Sequence, residues 1–291
     1  MERVTLTKRD FQSDLKPIWC PGCGDFGVLA AIYQALAAVG VPPHKLAFLS
    51  WIGCSSRIPG YTTAYGFNSV HGRSLPMAQG VKIANPELTV LAAGGDGDGF
   101  SIGGGHISHT VRRNPDITYI VMDNHIYGLT KGQAGPTTLP GTVSVTTPYG
   151  ISETPVNPLL QVLAFGCGFV AQGATHDLKQ LARLIEAGIR YPGFAFIDVH
   201  SPCVTYGREE DMTKELKSRA VDLEAMGHDP SDKMAAYELA EEYGKTIHCG
   251  VLYRKDGLVE LSAMHERLRE TAQAAGVYPR EEIFARNFLV Q

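Results

Sequence analysis

The chain has 291 residues, 44% of them hydrophobic, enough to bury one large domain or one domain with an appendage. A net charge of −4, with no basic block and no RNA-binding signature, excludes an electrostatic case for nucleic acid. The first residues contain no signal-peptide h-region, and the longest apolar stretch, Val28 to Val41, is too short to cross a bilayer, so a soluble, cytoplasmic protein with no membrane partner is expected.

In chain order, the first notable stretch is IWCPGCGDFGVL, where Cys20 and Cys23 stand two residues apart just ahead of an apolar run. Helix candidates follow at Val28–Ala38, Met77–Ala84, Gly105–Arg113 and Asp177–Tyr191. Between them lie strand candidates at Leu46–Ser50, Leu88–Ala93, Ile117–Asp123 and Phe194–His200. These strands are near-continuous apolar runs, as expected where both faces of a sheet are covered. The alternation predicts a doubly wound, mostly parallel α/β domain. The Gly/Pro-rich stretch Gly132–Pro158 is long for a loop and follows a strand end, which marks an active-site or interface loop. From Arg208 the texture turns charged and helical. Residues 1–207 are therefore read as the main domain, and 208–291 as a helical or irregular arm that packs on it and on a partner, rather than more sheet.

In open α/β sheets ligands bind beyond the carboxyl ends of the strands. Here the first candidate strand is followed by WIGCSSR, with Cys54 and Arg57. The second is followed by GGDGDGFSIGGGH, with Asp96 and Asp98 among seven glycines, the third by Asn124 and HIYGLTKGQ, and the fourth by SPC, with Cys203. Four consecutive strand ends thus carry metal-ligand or charged chemistry, which points to a single site. Glycines let backbone N–H groups approach a diphosphate, but the acids would repel it unless a hard divalent cation lay between; Mg²⁺ takes oxygen ligands and bridges phosphates. The alternative is a glycine-rich turn whose acids merely cap a helix. GGDGDGFSIGGG itself is not a Rossmann GxGxxG and lacks the lysine of a P-loop, so NAD and ATP are poorly supported there.

Cys20 and Cys23 need two further ligands to close a four-sulfur site. Cys54 and Cys203 lie at strand ends, whereas Cys167 has the apolar context of a buried thiol and Cys249 is far along the chain. By ligand type, four cysteines fit zinc and a 4Fe–4S cluster alike, and the isolation of Cys54 and Cys203 weighs mildly against zinc.

GDG followed one strand later by Asn resembles the thiamine diphosphate motif. The resemblance implies that Asp96, Asn124 and the backbone carbonyl of Ile126 hold Mg²⁺, and that Gly95, Asp96, Gly97, Asp98, Gly128, Leu129 and Thr130 contact the cofactor. The wider set WCPGCG, IGCSSR, HGRSLPMAQG, GGDGDGF, DNHIYGLTKGQ and SPC resembles the β subunit of a 2-oxoacid:ferredoxin oxidoreductase. That family places one 4Fe–4S cluster on the cysteines matching Cys20, Cys23, Cys54 and Cys203. The implied reaction is oxidative decarboxylation of a 2-oxoacid with coenzyme A, giving acyl-CoA, CO₂ and reduced ferredoxin, or its reverse. It also implies an obligate α subunit that supplies the domain around the aminopyrimidine, in a dimer of αβ pairs. Arg57 and Lys131 are candidates to meet the distal carboxylate of 2-oxoglutarate, and His71 to touch cofactor or substrate. His106 and His109 read as structural, and His125 departs from the amide that the family often has. The rival expectations are a pyruvate or broad 2-oxoacid enzyme, a zinc-stapled subunit with no redox role, and a non-redox thiamine decarboxylase.

Overall fold

The computed structural model describes residues 6–207 and 212–276. In chain order, α1 (Asp25–Val39) leads into β1 (Leu46–Ser50) and β2 (Tyr65–Asn68), then α2 (Ser74–Ala84), β3 (Thr89–Gly95), the short α3 (Asp96–Phe100), α4 (Gly104–Arg113) and β4 (Ile117–Asp123). A two-residue pair, β5 (Ile126–Tyr127) and β6 (Gln133–Ala134), precedes α5 (Pro158–Ala164), β7 (Phe169–Ala174), α6 (Leu178–Arg190) and β8 (Phe194–His200). The chain continues through α7 (Met212–Arg219), β9 (Ala220–Asp222), α8 (Lys233–Glu241), β10 (Ile247–Arg254) and α9 (Leu261–Ala274). Helix ends follow local chemistry. Gly40 closes α1 in the left-handed region at φ 77°, and the Asp177 side chain accepts from Lys179 N and Gln180 N to open α6.

The main sheet has the order β2-β1-β3-β4-β8-β7-β10-β9, parallel from β2 through β7. Successive strand residues point to opposite faces, and both faces are covered. Phe48, Leu91, Ile120 and Ile197 join the core beneath α1 and α6. Leu49, Val90, Tyr119 and Phe196 join the other core, with side chains from α2, α4, α5 and α8. This is the doubly wound, mostly parallel α/β architecture that the alternation predicts, with a helical C-terminal region.

Only the expectation of no further sheet after residue 207 needs correction. The chain there adds β9 and β10 to the sheet, with β10 antiparallel to β7. Its strand pattern is disguised by Gly250, at φ 155° against Leu223, and by a register shift between Val251 and Tyr253. Residues 208–211 and 277–291, within the expected arm, lie outside the described residues. The 132–158 loop folds back on itself: Gly141 N donates to Ile151 O, Ile151 N to Thr142 O, and Val156 N to Pro136 O. Among the described residues no helix is long and apolar enough to cross a membrane.

The sheet is tightest where β1 passes β3. A Cβ on Gly94 would stand 1.5 Å from Trp51 Nε1, a ring that is itself only 1% exposed. Gly94→Ala is therefore expected to cost more than about 3 kcal/mol of stability, beyond ordinary overpacking, measured by chemical unfolding; a change within about 0.5 kcal/mol would show that this contact does not constrain the core.

Candidate active site

Because β1, β3, β4 and β8 are parallel neighbours, their carboxyl ends share one edge. Gly95 pairs with Met122 and Asp123 with His200, so the residues just beyond each strand form a row. Asp96 opens α3 and is 1% exposed. Its carboxylate accepts from the Thr137 hydroxyl, and from Asn124 N at 3.4 Å. Asn124 Oδ1 accepts from Ile126 N at 3.0 Å, which leaves it a second lone pair for a further partner. Gly97 carries the Tyr127 ring: the Tyr127 hydroxyl donates to Gly97 O at 3.0 Å, and a Cβ on Gly97 would meet that ring at 2.5 Å. His125 and Lys131, on either side of β5, hold positive φ values of 58° and 80°. Strain of that kind persists where surrounding structure enforces it.

A cavity of about 70 Å³ is lined by Gly53, Cys54, Ser55, His71, Gly95, Asp96, Gly97, Asp98, Asn124 and residues 126–130. The structure thus brings together the sequence-derived Gly95, Asp96, Gly97, Asp98, Asn124, Ile126, Gly128, Leu129, Thr130 and His71. Asp98 has a structural duty there, since it accepts from Gly72 N at 3.1 and 3.2 Å and contacts His71 Nδ1, tying that turn to the cavity wall. Arg57 and Lys131 are exposed and lie outside the lining, although their neighbours Cys54, Ser55, Leu129 and Thr130 belong to it. His106 and His109 stay on α4, away from the lining.

Cys20, Cys23, Cys54 and Cys203 line a second cavity of about 50 Å³ with Trp19, Asp25, Asn124, Gly128 and Tyr206. Cys54, Asn124 and Gly128 are common to both cavities. Among the described residues no three His, Cys, Asp or Glu side chains form a ready-made ion site. Burial, and then the charge of Asp25, push the Cys23 thiol up to about 12 and raise Cys54 as well. Bare thiolates at Cys23 and Cys54 would be costly here, and a cationic metal–sulfide core is the kind of group that would lower that cost. The donor set fits iron and sulfur, and the acid, amide and glycine set of the first cavity fits a diphosphate bridged by a divalent cation. Cys167 and Cys249 are buried elsewhere.

Sequence reasoning missed several groups. Thr137, from the long loop, holds Asp96, and Asp25 was hidden because an acid at a helix start reads as ordinary capping. Behind Asn124 lies a third cavity, of about 140 Å³, lined by Asp123, His125, His200, Tyr206 and Arg219 among others. Against its Asp123, His125 and His200 packs a buried polar cluster. Tyr243 donates to the Asp123 carboxylate, Gln172 Nε2 donates to Asp198 at 3.1 Å, and the rings of His125, His200 and Tyr243 stack edge-on or tilted. Burial raises Asp96, Asp123 and Asp198, with charge from the other acids adding at Asp96 and Asp198.

A parallel α/β sheet with an acid, an amide and glycines gathered at its carboxyl edge is the arrangement of an α/β cofactor-binding domain. The family described as "Thiamine pyrophosphate enzyme, C-terminal TPP binding domain" matches residues 51–199, and the family for the C-terminal part of the pyruvate ferredoxin oxidoreductase β chain matches 203–271. The chain is 42% identical over 257 residues to the 2-oxoacid:ferredoxin oxidoreductase 2 subunit beta of Aeropyrum pernix, covering 84% of this chain and 82% of that one. It is 39% identical to the 2-oxoglutarate synthase subunit KorB of Methanothermobacter marburgensis, over 85% and 92% of the two chains. A solved 2-oxoglutarate:ferredoxin oxidoreductase from Magnetococcus marinus, with 2-oxoglutarate, coenzyme A and succinyl-CoA bound, superposes with a TM-score of 0.90 at 40% identity, over 97% and 96% of the chains. The chain belongs to the β subunits of the 2-oxoacid:ferredoxin oxidoreductases, enzymes that act as a complex with an α subunit.

The Tyr243–Asp123 contact makes a stability prediction. Burial raises the folded pKa of Asp123, so its own contribution to stability is fullest below the unfolded value and fades as pH rises through the folded one. The Tyr243 hydroxyl acts the other way, favouring the ionised carboxylate. Tyr243→Phe is expected to cost about 1.5–3 kcal/mol at about pH 8 and less at about pH 5. Urea unfolding at both values checks this; an equal loss at both would mean that the hydroxyl does not serve the carboxylate.

Proposed function

We propose that this chain and its α partner convert 2-oxoglutarate and coenzyme A to succinyl-CoA and CO₂, reducing two ferredoxins by one electron each and releasing one proton. The observation that carries this reading is the wall of Cys54, Asn124 and Gly128 common to the diphosphate cavity and the cysteine cavity. Electrons released in the first have only that wall to cross to reach the second. The substrate is supported by the Magnetococcus marinus enzyme and by the KorB relatives, whose names carry 2-oxoglutarate.

The roles follow from the donor chemistry. Asp96 and Asn124 side-chain oxygens, with the Ile126 carbonyl, would hold Mg²⁺ against the diphosphate, while Gly95, Gly97, Gly128 and Thr130 give backbone and hydroxyl contacts. Thr137 fixes the Asp96 carboxylate, and Asp98 fixes the turn that carries His71. Leu129 offers an apolar surface to the thiazolium side. Thiamine diphosphate, when bound, supplies a carbon nucleophile for the keto carbon and an electron sink once CO₂ leaves. Cys20, Cys23, Cys54 and Cys203 would hold one 4Fe–4S cluster that passes electrons on to ferredoxin. Arg57 and Lys131, at the rim, would pair with the distal carboxylate of 2-oxoglutarate, and His71 faces the reacting end. Residues 1–207 form the cofactor half. The chain from 208 completes the far sheet edge and packs on the partner, in a cytoplasmic dimer of αβ pairs.

The test is ferredoxin reduction by the anaerobic αβ complex with 2-oxoglutarate and with pyruvate. Arg57→Ala or Lys131→Ala is expected to lower kcat/KM for 2-oxoglutarate about 10- to 100-fold, the loss of one charge-assisted hydrogen bond, and to leave pyruvate turnover unchanged. An unchanged ratio in both variants overturns the assigned carboxylate contact, and faster turnover of pyruvate by the wild type overturns the substrate.

A further inference from the structure

Asp25 is the first residue of α1, yet its carboxylate caps nothing in that helix. It is 3% exposed, and its Oδ1 accepts from the Ser201 hydroxyl at 2.6 Å. One residue earlier, Gly24 N donates to Pro202 O at 3.1 Å. A Cβ on Gly24 would stand 2.7 Å from Pro202 N, Pro202 Cδ and the Ser201 carbonyl carbon, so the two segments approach as closely as backbone allows. The Cys20–Cys23 turn, closed by Cys23 N donating to Cys20 O at 3.0 Å, is thereby clamped to the strand end that carries Cys203. Asp25 is also the one carboxylate lining the four-cysteine cavity among the described residues.

We propose that Asp25 is a positioning residue for the iron–sulfur cluster: through Ser201 it sets the spacing between the Cys20–Cys23 turn and Cys203, and its negative charge, held against the cluster, keeps the reduction potential low. This rests on the cluster assigned above. An anion buried beside the cluster opposes the added electron, because net charge near the sulfurs is among the determinants of potential. A low potential makes the reduced cluster a stronger donor to a low-potential ferredoxin. Ser201 gives the carboxylate its hydrogen bond, and Gly24 gives the clamp its closeness.

The experiment is an EPR-monitored redox titration of the anaerobic αβ complex, with iron counted on every sample. Asp25→Asn, which keeps shape and an acceptor for Ser201 but removes the charge, is expected to retain iron and to raise the midpoint by about 59 mV, a tenfold change in a one-electron equilibrium. An iron-replete variant with an unmoved midpoint overturns the assigned charge effect. Should Asp25→Asn lose its iron, the clamp is tested by Ser201→Ala against Ser201→Thr. Iron lost in the first and kept in the second supports it, and equal iron in both overturns it. A wild-type complex without iron would instead defeat the cluster reading itself, which separates the two failures.

Discussion

Parallel pairing of β1, β3, β4 and β8 is the constraint on which everything at the site depends. Strands that run the same way end at the same edge, and here the register sets Asp123 beside His200 and Gly95 beside Met122. The first residues past those ends are Trp51, Asp96, Asn124 and Ser201, so the Cys54, Asp96, Asn124 and Cys203 segments have no freedom to diverge. One strand slipped by a residue would exchange the two faces and carry a buried acid into an apolar core. The thick covering of helices keeps that register fixed, since every residue of β1, β4 and β8 is buried.

The same geometry imposes an electrostatic cost. Asp96, Asp123 and Asp198 occupy one buried neighbourhood, and each carboxylate's pKa is raised by burial. A stable fold keeps such groups only with donors at hand, and Thr137 of the long loop, Tyr243 just past α8 and Gln172 of β7 provide them. A divalent cation at Asp96 would relieve part of the remaining repulsion and would then couple its binding to the cohesion of the sheet edge. On the other side of Asn124, Cys23 and Cys54 face the mirror problem, because burial and then the charge of Asp25 push both thiols up. The two cavities therefore meet at Asn124, a residue with no charge of its own.

Much of this was legible in the amino-acid order. ITYIVMD and FAFIDVH are long, branched and wholly apolar at their centres, and both occupy the predicted spans. GGDGDG and CPGC announce themselves by residue type. The strands that escaped have physical disguises: YGFN is a short exposed edge, FVAQGA carries a buried Gln172 and a glycine, and IHCGVLYR is broken by Gly250. Long-range partners left no pattern to read. Thr137 meets Asp96 across 41 positions, Tyr243 meets Asp123 across 120, and Ser201 meets Asp25 across 176. Arg57 and Lys131 were visible as charges near motifs, but the structure leaves both exposed and outside the cavity lining that their neighbours form.

The most direct measurement is the content of iron, acid-labile sulfide and zinc per β chain in anaerobically purified αβ complex. The account predicts about four irons and about four sulfides, as a single cubane requires, with no stoichiometric zinc. About one zinc per chain with no labile sulfide, the composition of a structural four-cysteine site, would contradict it and leave the cysteines with no part in electron transfer.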